Sequence, residues 1–182
     1  IISYLAGQKS VLFQSSYSSV EELKEAGLNM QMETVIEEND TNHKKVFYRR
    51  SNSKKTKVTD YDKLILATGS YPAMTSVPFD KKSNLYFLKS MEDAIKAEEF
   101  LATAKNIAVI GGGMTGVEVA RITQDRGIQT TLIHRNKNLL NDYLDEPASR
   151  LLESWMNAEG TRLLLNTEVT EISVDGENTV VQ

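Results

Sequence analysis

Residues Asn106–Arg135 read NIAVIGGGMTGVEVARITQDRGIQTTLIHR, and no other stretch restricts the fold so tightly. Ile107–Ile110 is a short apolar run of the kind that fills a strand buried on both faces. Gly111, Gly113 and Gly116 follow it in the spacing G-x-G-x-x-G, and helix-forming residues follow those. The first glycine permits a tight turn, the second lets backbone approach a pyrophosphate, and the third lets helix pack closely on strand. Amides at a helix start, with the positive end of its dipole, attract phosphate. The segment is therefore predicted to be a βαβ unit opening a parallel sheet. Gly111, Gly112, Gly113, Met114, Thr115 and Gly116 are the candidate dinucleotide cradle.

The second strand of such a unit ordinarily ends in Asp or Glu, which accepts hydrogen bonds from the adenosine ribose of NAD. Here the position is His134, followed by Arg135 and then, after Asn136, Lys137. A carboxylate would repel a 2′-phosphate, whereas these three residues can pair with one, Arg in bidentate fashion. NADP is thus the favoured nucleotide, NAD the other. The bland alternative is a solvated basic loop. Glu118 lies on the first turns of the helix, where the dipole favours a carboxylate in any case.

Two helix starts are legible elsewhere. Ser19 with Glu22, and Ser90 with Asp93, have capping-box spacing. Thr34, Lys45 and Lys57 fall in segments predicted to form a small charged meander, with Arg49–Lys55 at its tip and His43 in an exposed turn. YDKLILATGS is predicted to hold a further strand, buried on both faces and ending at Gly69. Trp155 and Met156 are predicted at or near the core of a helix running from about Asp145 to Gly160. AGLNMQMETVIEE and EGTRLLLNTEVTE align Gly27 with Gly160, Thr34 with Thr167 and Glu38 with Glu171, each pair 133 positions apart. With the shared order of elements, this indicates a duplicated fold. On that register the glycine turn of the first copy would precede Ile1, and the closing strand of the second would follow Gln182. The chain is therefore expected to be truncated at both ends.

Composition narrows the function. The 182 residues include no cysteine, so thiol chemistry and thiolate metal sites are excluded within them. The two histidines, His43 and His134, have no metal-ligand neighbours at useful spacing. A net charge of −4 argues against nucleic acid or an anionic membrane as partner. No apolar run reaches membrane-spanning length and no secretory signal opens the chain, so a cytoplasmic location is expected.

Taken together, YDKLILATGS, IAVIGGGMTGVEVA, TLIHR and LLLNTEVTEI resemble the pyridine nucleotide-disulfide oxidoreductases, in the branch of coenzyme A-disulfide reductases and NADH oxidases. The resemblance implies an α/β chain of Rossmann-like FAD- and NAD(P)-binding domains, each a three-layer ββα arrangement. Residues 1–80 would be the C-terminal part of the FAD-binding domain and 81–182 the N-terminal part of the NAD(P)-binding domain. It implies FAD beside Thr68, Gly69 and Ser70, and the nicotinamide end of the nucleotide near Glu118. It also implies a parent homodimer that passes hydride from nicotinamide to FAD and on to oxygen or a disulfide such as coenzyme A disulfide. That branch carries a redox cysteine, expected upstream of Ile1, and usually an aromatic residue where Met114 stands. A module that senses NAD(P) without catalysis is the alternative.

Overall fold

Both capping boxes form. Ser19 Oγ accepts the Glu22 amide at 3.1 Å while the Glu22 carboxylate accepts the Ser19 amide at 2.7 Å, and Ser90 and Asp93 make the same exchange. The computed structural model describes residues 2–7, 18–72 and 77–182. Its helices are α1 (Ile2–Leu5), α2 (Val20–Glu25), α3 (Met91–Leu101), α4 (Met114–Asp125) and α5 (Glu146–Ala158). Its strands are β1 (Thr34–Asp40), β2 (Lys45–Arg50), β3 (Lys57–Asp60), β4 (Asn106–Ile110), β5 (Gln129–Ile133), β6 (Arg162–Leu164), β7 (Ile172–Asp175) and β8 (Asn178–Val181). They form two compact units, Gln14–Ser70 and Ile1–Phe13 with Tyr71–Gln182.

In the smaller unit β1, β2 and β3 make the expected antiparallel meander. Its charged tip serves the fold: Arg49 donates to Glu37 at 2.7 Å and Thr56 to the same carboxylate at 2.8 Å. His43 is an exposed turn residue, its Nδ1 2.6 Å from Asp40 Oδ2. Two expectations need correction. LNMQMETVIEE, from Leu28, reads as the first strand of that meander, but β1 begins only at Thr34, because Glu33 takes a left-handed conformation (φ +53°) that interrupts extended backbone. The buried strand foreseen at Leu64–Ala67 is absent as well: Leu64–Ser70 has no strand pairing, and Ile65 and Leu66 are 88% and 72% exposed. An apolar run becomes a two-face buried strand only beside a hydrogen-bonding neighbour and under cover on each face. The sheet β1-β2-β3 places no strand next to it.

The larger unit is built on a parallel sheet of order β4-β5-β6, with Asn106 opposite Gln129 and Thr131 opposite Arg162. Alternation along β5 produces the layers. Leu132 is fully buried with Val119 and Ala120 of α4 and Met156 of α5, whereas neighbouring Ile133 packs with Ile172 and Val181 of the antiparallel β7–β8 hairpin. Hairpin, parallel sheet and helices are the three layers of the expected Rossmann-like ββα arrangement. A second cluster joins Tyr4 and Leu5 of α1 to Ala94, Ala97 and Leu101 of α3 and to Ile128. Met156 is a core residue; Trp155, one position before it, is 43% exposed, with the Arg121 guanidinium 4.9 Å above its ring.

The internal repeat has a backbone signature. Gly27 (φ +88°) and Gly160 (φ +99°) end α2 and α5. Their amides return to Lys24 and Asn157, and the next amides, of Leu28 and Thr161, return to Leu23 and Met156, all at 2.9–3.0 Å. Six residues after each glycine stands a left-handed non-glycine, Glu33 (φ +53°) or Asn166 (φ +50°). Among the described residues no helix is long and apolar enough to cross a membrane.

Candidate dinucleotide site

At the end of β4 the chain turns at Gly111 (φ +110°), whose amide donates to the Ile133 carbonyl at 2.8 Å. The turn therefore begins beside the end of β5. A Cβ on Gly116 would overlap the Gly111 carbonyl, which is the close approach of helix to strand that the spacing foretold. Gly113 is the N-cap of α4 and has no side-chain cap bond. A Cβ there would meet nothing within 4 Å, so this side of the turn is open. The amides of Met114, Thr115 and Gly116 lie in the first helical turn, where no intrahelical carbonyl reaches them. Gly111, Gly113, Met114, Thr115 and Gly116 line a cavity of about 950 Å³, within the range that accommodates cofactors. Met114 is half exposed at its edge.

Gly112 faces the other way. Its amide donates to His134 Nδ1 at 3.0 Å, and its carbonyl accepts the Leu140 amide at 2.9 Å. Both of its backbone groups are thus held by the segment that follows β5. A Cβ on this buried glycine would lie 2.7 Å from His134 Cγ and 2.5 Å from Leu139 Cδ2. His134 is held through its own backbone too, its amide donating to Leu164 and its carbonyl accepting from Thr167. Its Nε2 lies 3.4 Å from Asn141 Oδ1, which also accepts from Asn136 at 2.9 Å.

Of the foreseen residues, the structure brings Gly111–Gly116 and His134 together. Arg135 is exposed at the same strand end. Lys137 is engaged with Glu146 at 3.0 Å, and Arg150 binds the same carboxylate. The Arg150 hydrogen bond first, and the Lys137 one second, hold the Glu146 carboxyl below its ordinary range. Glu118 is exposed on α4. Thr68, Gly69 and Ser70 belong to the smaller unit and are exposed, with nothing within 4 Å of where a Gly69 Cβ would be. Two features escaped the sequence reading: the Asn136–Asn141 contact behind His134, and Tyr143, a 68% exposed ring on the cavity. The one available signal for Tyr143 was an aromatic residue in the loop shortly before the N-cap Asp145. Among the described residues no cluster of His, Cys, Asp or Glu could hold a metal.

Residues 3–182 match the family described as pyridine nucleotide-disulphide oxidoreductase. The chain belongs to that family. It is 30% identical over its whole length to an NADH oxidase of Enterococcus faecalis, covering 41% of that protein. Among solved structures it superposes on the water-forming NADH oxidase of Lactobacillus brevis bound to NADH, with a TM-score of 0.90 and 26% identity over 100% of this chain and 40% of that one. An engineered water-forming NADPH oxidase bound to NADPH, a mutant of that enzyme, gives a TM-score of 0.88 at 26% identity over the same shares. The chain thus spans about two fifths of the length of these relatives.

Proposed function

We propose that this chain is the nucleotide-holding portion of a flavin-dependent NAD(P)H oxidoreductase, and that the nucleotide it prefers is NADPH. The observation that carries the reading is the pairing of an open glycine cradle with a strand end that bears His134 and Arg135 in place of an acid. Amides of Gly113, Met114, Thr115 and Gly116 would hold the pyrophosphate, since a Cβ at Gly113 would project into the space it needs. Arg135, exposed and without an ion pair among the described residues, would meet the 2′-phosphate. Lys137 would join it only by leaving Glu146. The engineered NADPH-bound relative supports this direction: its substitutions replace an aspartate by alanine and the adjacent alanine by arginine. Glu118 would stand toward the nicotinamide end.

Thr68, Gly69 and Ser70 are proposed against FAD. Gly69 (φ +73°) leaves backbone open to a cofactor, but these residues alone form no enclosure. When bound, flavin supplies the hydride acceptor, with oxygen or a disulfide as final oxidant. The contribution of this chain is placement and electrostatics. A cytoplasmic setting is part of this reading, in keeping with the NADH oxidase relatives.

Fluorescence titration of the chain with NADPH and NADH, at low and moderate salt, tests the reading. Tighter NADPH binding, with the preference shrinking as salt rises, is expected. Equal affinity, or a preference for NADH, would reject the choice of nucleotide; no binding of either would reject the site.

A further inference from the structure

His134 occupies the place of an acid, yet its ring is turned toward the protein. We propose, resting on the reading of the glycine turn as a nucleotide cradle, that His134 is a positioning residue. Its neutral imidazole does the structural work of the missing carboxylate without the carboxylate's charge, and so lets one scaffold accept a 2′-phosphate.

The hydrogen-bond chemistry leaves little freedom. The Gly112 amide can only donate, so Nδ1 at 3.0 Å must present its lone pair and the ring proton must sit on Nε2. The other end of the ring agrees, since Nε2 faces an amide oxygen, Asn141 Oδ1, at 3.4 Å. The packing is equally specific. Gly112 is buried against the imidazole so closely that a Cβ would come within 2.7–2.8 Å of Cγ and Cδ2. The Gly112 carbonyl is bound from the same segment by the Leu140 amide, at a residue whose backbone is left-handed (φ +51°).

The consequence is a division of labour within the turn. Gly112 is consumed as an anchor. Gly113, Met114, Thr115 and Gly116, immediately after it, keep their amides for a ligand. A carboxylate at residue 134 could accept the same Gly112 hydrogen bond but would place a negative charge at the strand end, where a 2′-phosphate would have to come. An imidazole keeps the acceptor and removes the charge. Discrimination at the 2′ position then falls to Arg135, while His134 supports both nucleotides alike.

Two amides separate this role from direct phosphate contact. In His134→Asn the side-chain oxygen can reach the place of Nδ1, whereas in His134→Gln the longer side chain carries its amide toward the place of Nε2. With thermal melting confirming that both fold, each variant of the full chain is titrated with NADPH and NADH, and exchange of the Gly112 amide is followed by NMR. His134→Asn is expected to bind both nucleotides within about threefold of the unmodified chain and to keep Gly112 protected. His134→Gln is expected to lose about tenfold for both, consistent with one hydrogen bond, and to speed Gly112 exchange. The imidazole nitrogen shifts of the unmodified chain should show Nδ1 unprotonated. The reverse pattern, in which Gln retains NADPH and Asn loses it while NADH is unmoved, overturns the proposal in favour of a phosphate contact through Nε2. Unchanged behaviour in both variants overturns it as well. Failure of the unmodified chain to bind either nucleotide overturns the cradle reading beneath it. That outcome is recognisable because Gly112 exchange would still separate the two variants if the anchor exists.

Discussion

The carbonyl oxygen of Gly111 fills the space in which a Cβ on Gly116 would lie, whereas the equivalent space at Gly113 is open. The two glycines are therefore needed for different reasons, packing at one and ligand approach at the other. Gly116→Ala must push helix α4 off strand β4, an overpacking change that typically costs about 1–3 kcal/mol. Gly113→Ala, at a φ of −81° that any residue adopts, should melt like the unmodified chain yet lose most of its nucleotide affinity. Thermal melts and nucleotide titrations of the two variants check this; a destabilised Gly113→Ala or a fully binding one would contradict it.

Arg135 and Lys137 are expected to differ although both are basic and exposed. A charge-assisted hydrogen bond contributes roughly 1.5–3 kcal/mol, so Arg135→Ala should raise the NADPH dissociation constant about ten- to a hundredfold and leave NADH nearly unchanged. Lys137→Ala mainly frees Glu146 from an exposed pair, and such pairs carry little energy. Its effect on either nucleotide should stay within about threefold. Equal losses of NADPH and NADH in Arg135→Ala would show that the residue serves the fold and not the phosphate.

Acid should weaken helix α3 through Asp93. Its carboxylate accepts the amides of Ser90 at 2.8 Å and Lys89 at 3.1 Å, and the Ser90 bond first, then the Lys89 bond, hold the carboxyl below its ordinary range. The folded value lies below the unfolded one. The stabilisation is therefore complete above the usual aspartate range and is lost as pH falls through the folded value. Melting temperature should drop more steeply on acidification in the unmodified chain than in Asp93→Asn; parallel curves would count against the capping box. At neutral pH, Ser90→Ala should cost about 1 kcal/mol.

Apolar residues in Leu64–Leu66 should tolerate what the sheet cannot. Ile65→Thr changes a residue that is 88% exposed and should shift stability by no more than about 0.5 kcal/mol. Leu132→Ala empties a fully buried position in β5 and should cost about 2–5 kcal/mol. Urea unfolding of both variants makes the comparison, and a large loss in Ile65→Thr would show cover that the structure does not contain.

These contrasts explain what could be read from the chain before its structure. Ser19, Ser90, the glycine turn and the strands Asn106–Ile110 and Gln129–Ile133 were legible because each is specified by residues within a few positions. The repeat was legible in three identities, and the left-handed Glu33 and Asn166 strengthen it without having been visible as such. Leu64–Ala67 was misread because an apolar run records what a strand would bury and says nothing of its neighbours. His134 was recognised as a departure from an acid, but its partner stands 22 positions earlier, and the direction of a ring is settled by tertiary contacts. Tyr143 owes its place on the cavity to the same segment and carries no local signal of comparable strength.

Leu5 finally ties chain order to core formation. Its carbonyl accepts from the Arg126 guanidinium, 121 positions on, and its side chain joins Ala94, Leu101 and Ile128, while the whole β1-β2-β3 meander lies between them in sequence. During synthesis the meander can close as soon as Asp60 has emerged, but the first helix has no finished core to enter until about seventy further residues have followed. Residues made before the meander are thus secured only after it. Refolding of the whole chain under pulsed hydrogen exchange should reproduce that order, with amides of β2 protected before those of β5 and of Ala6, and the opposite order would show that the long-range contact nucleates folding.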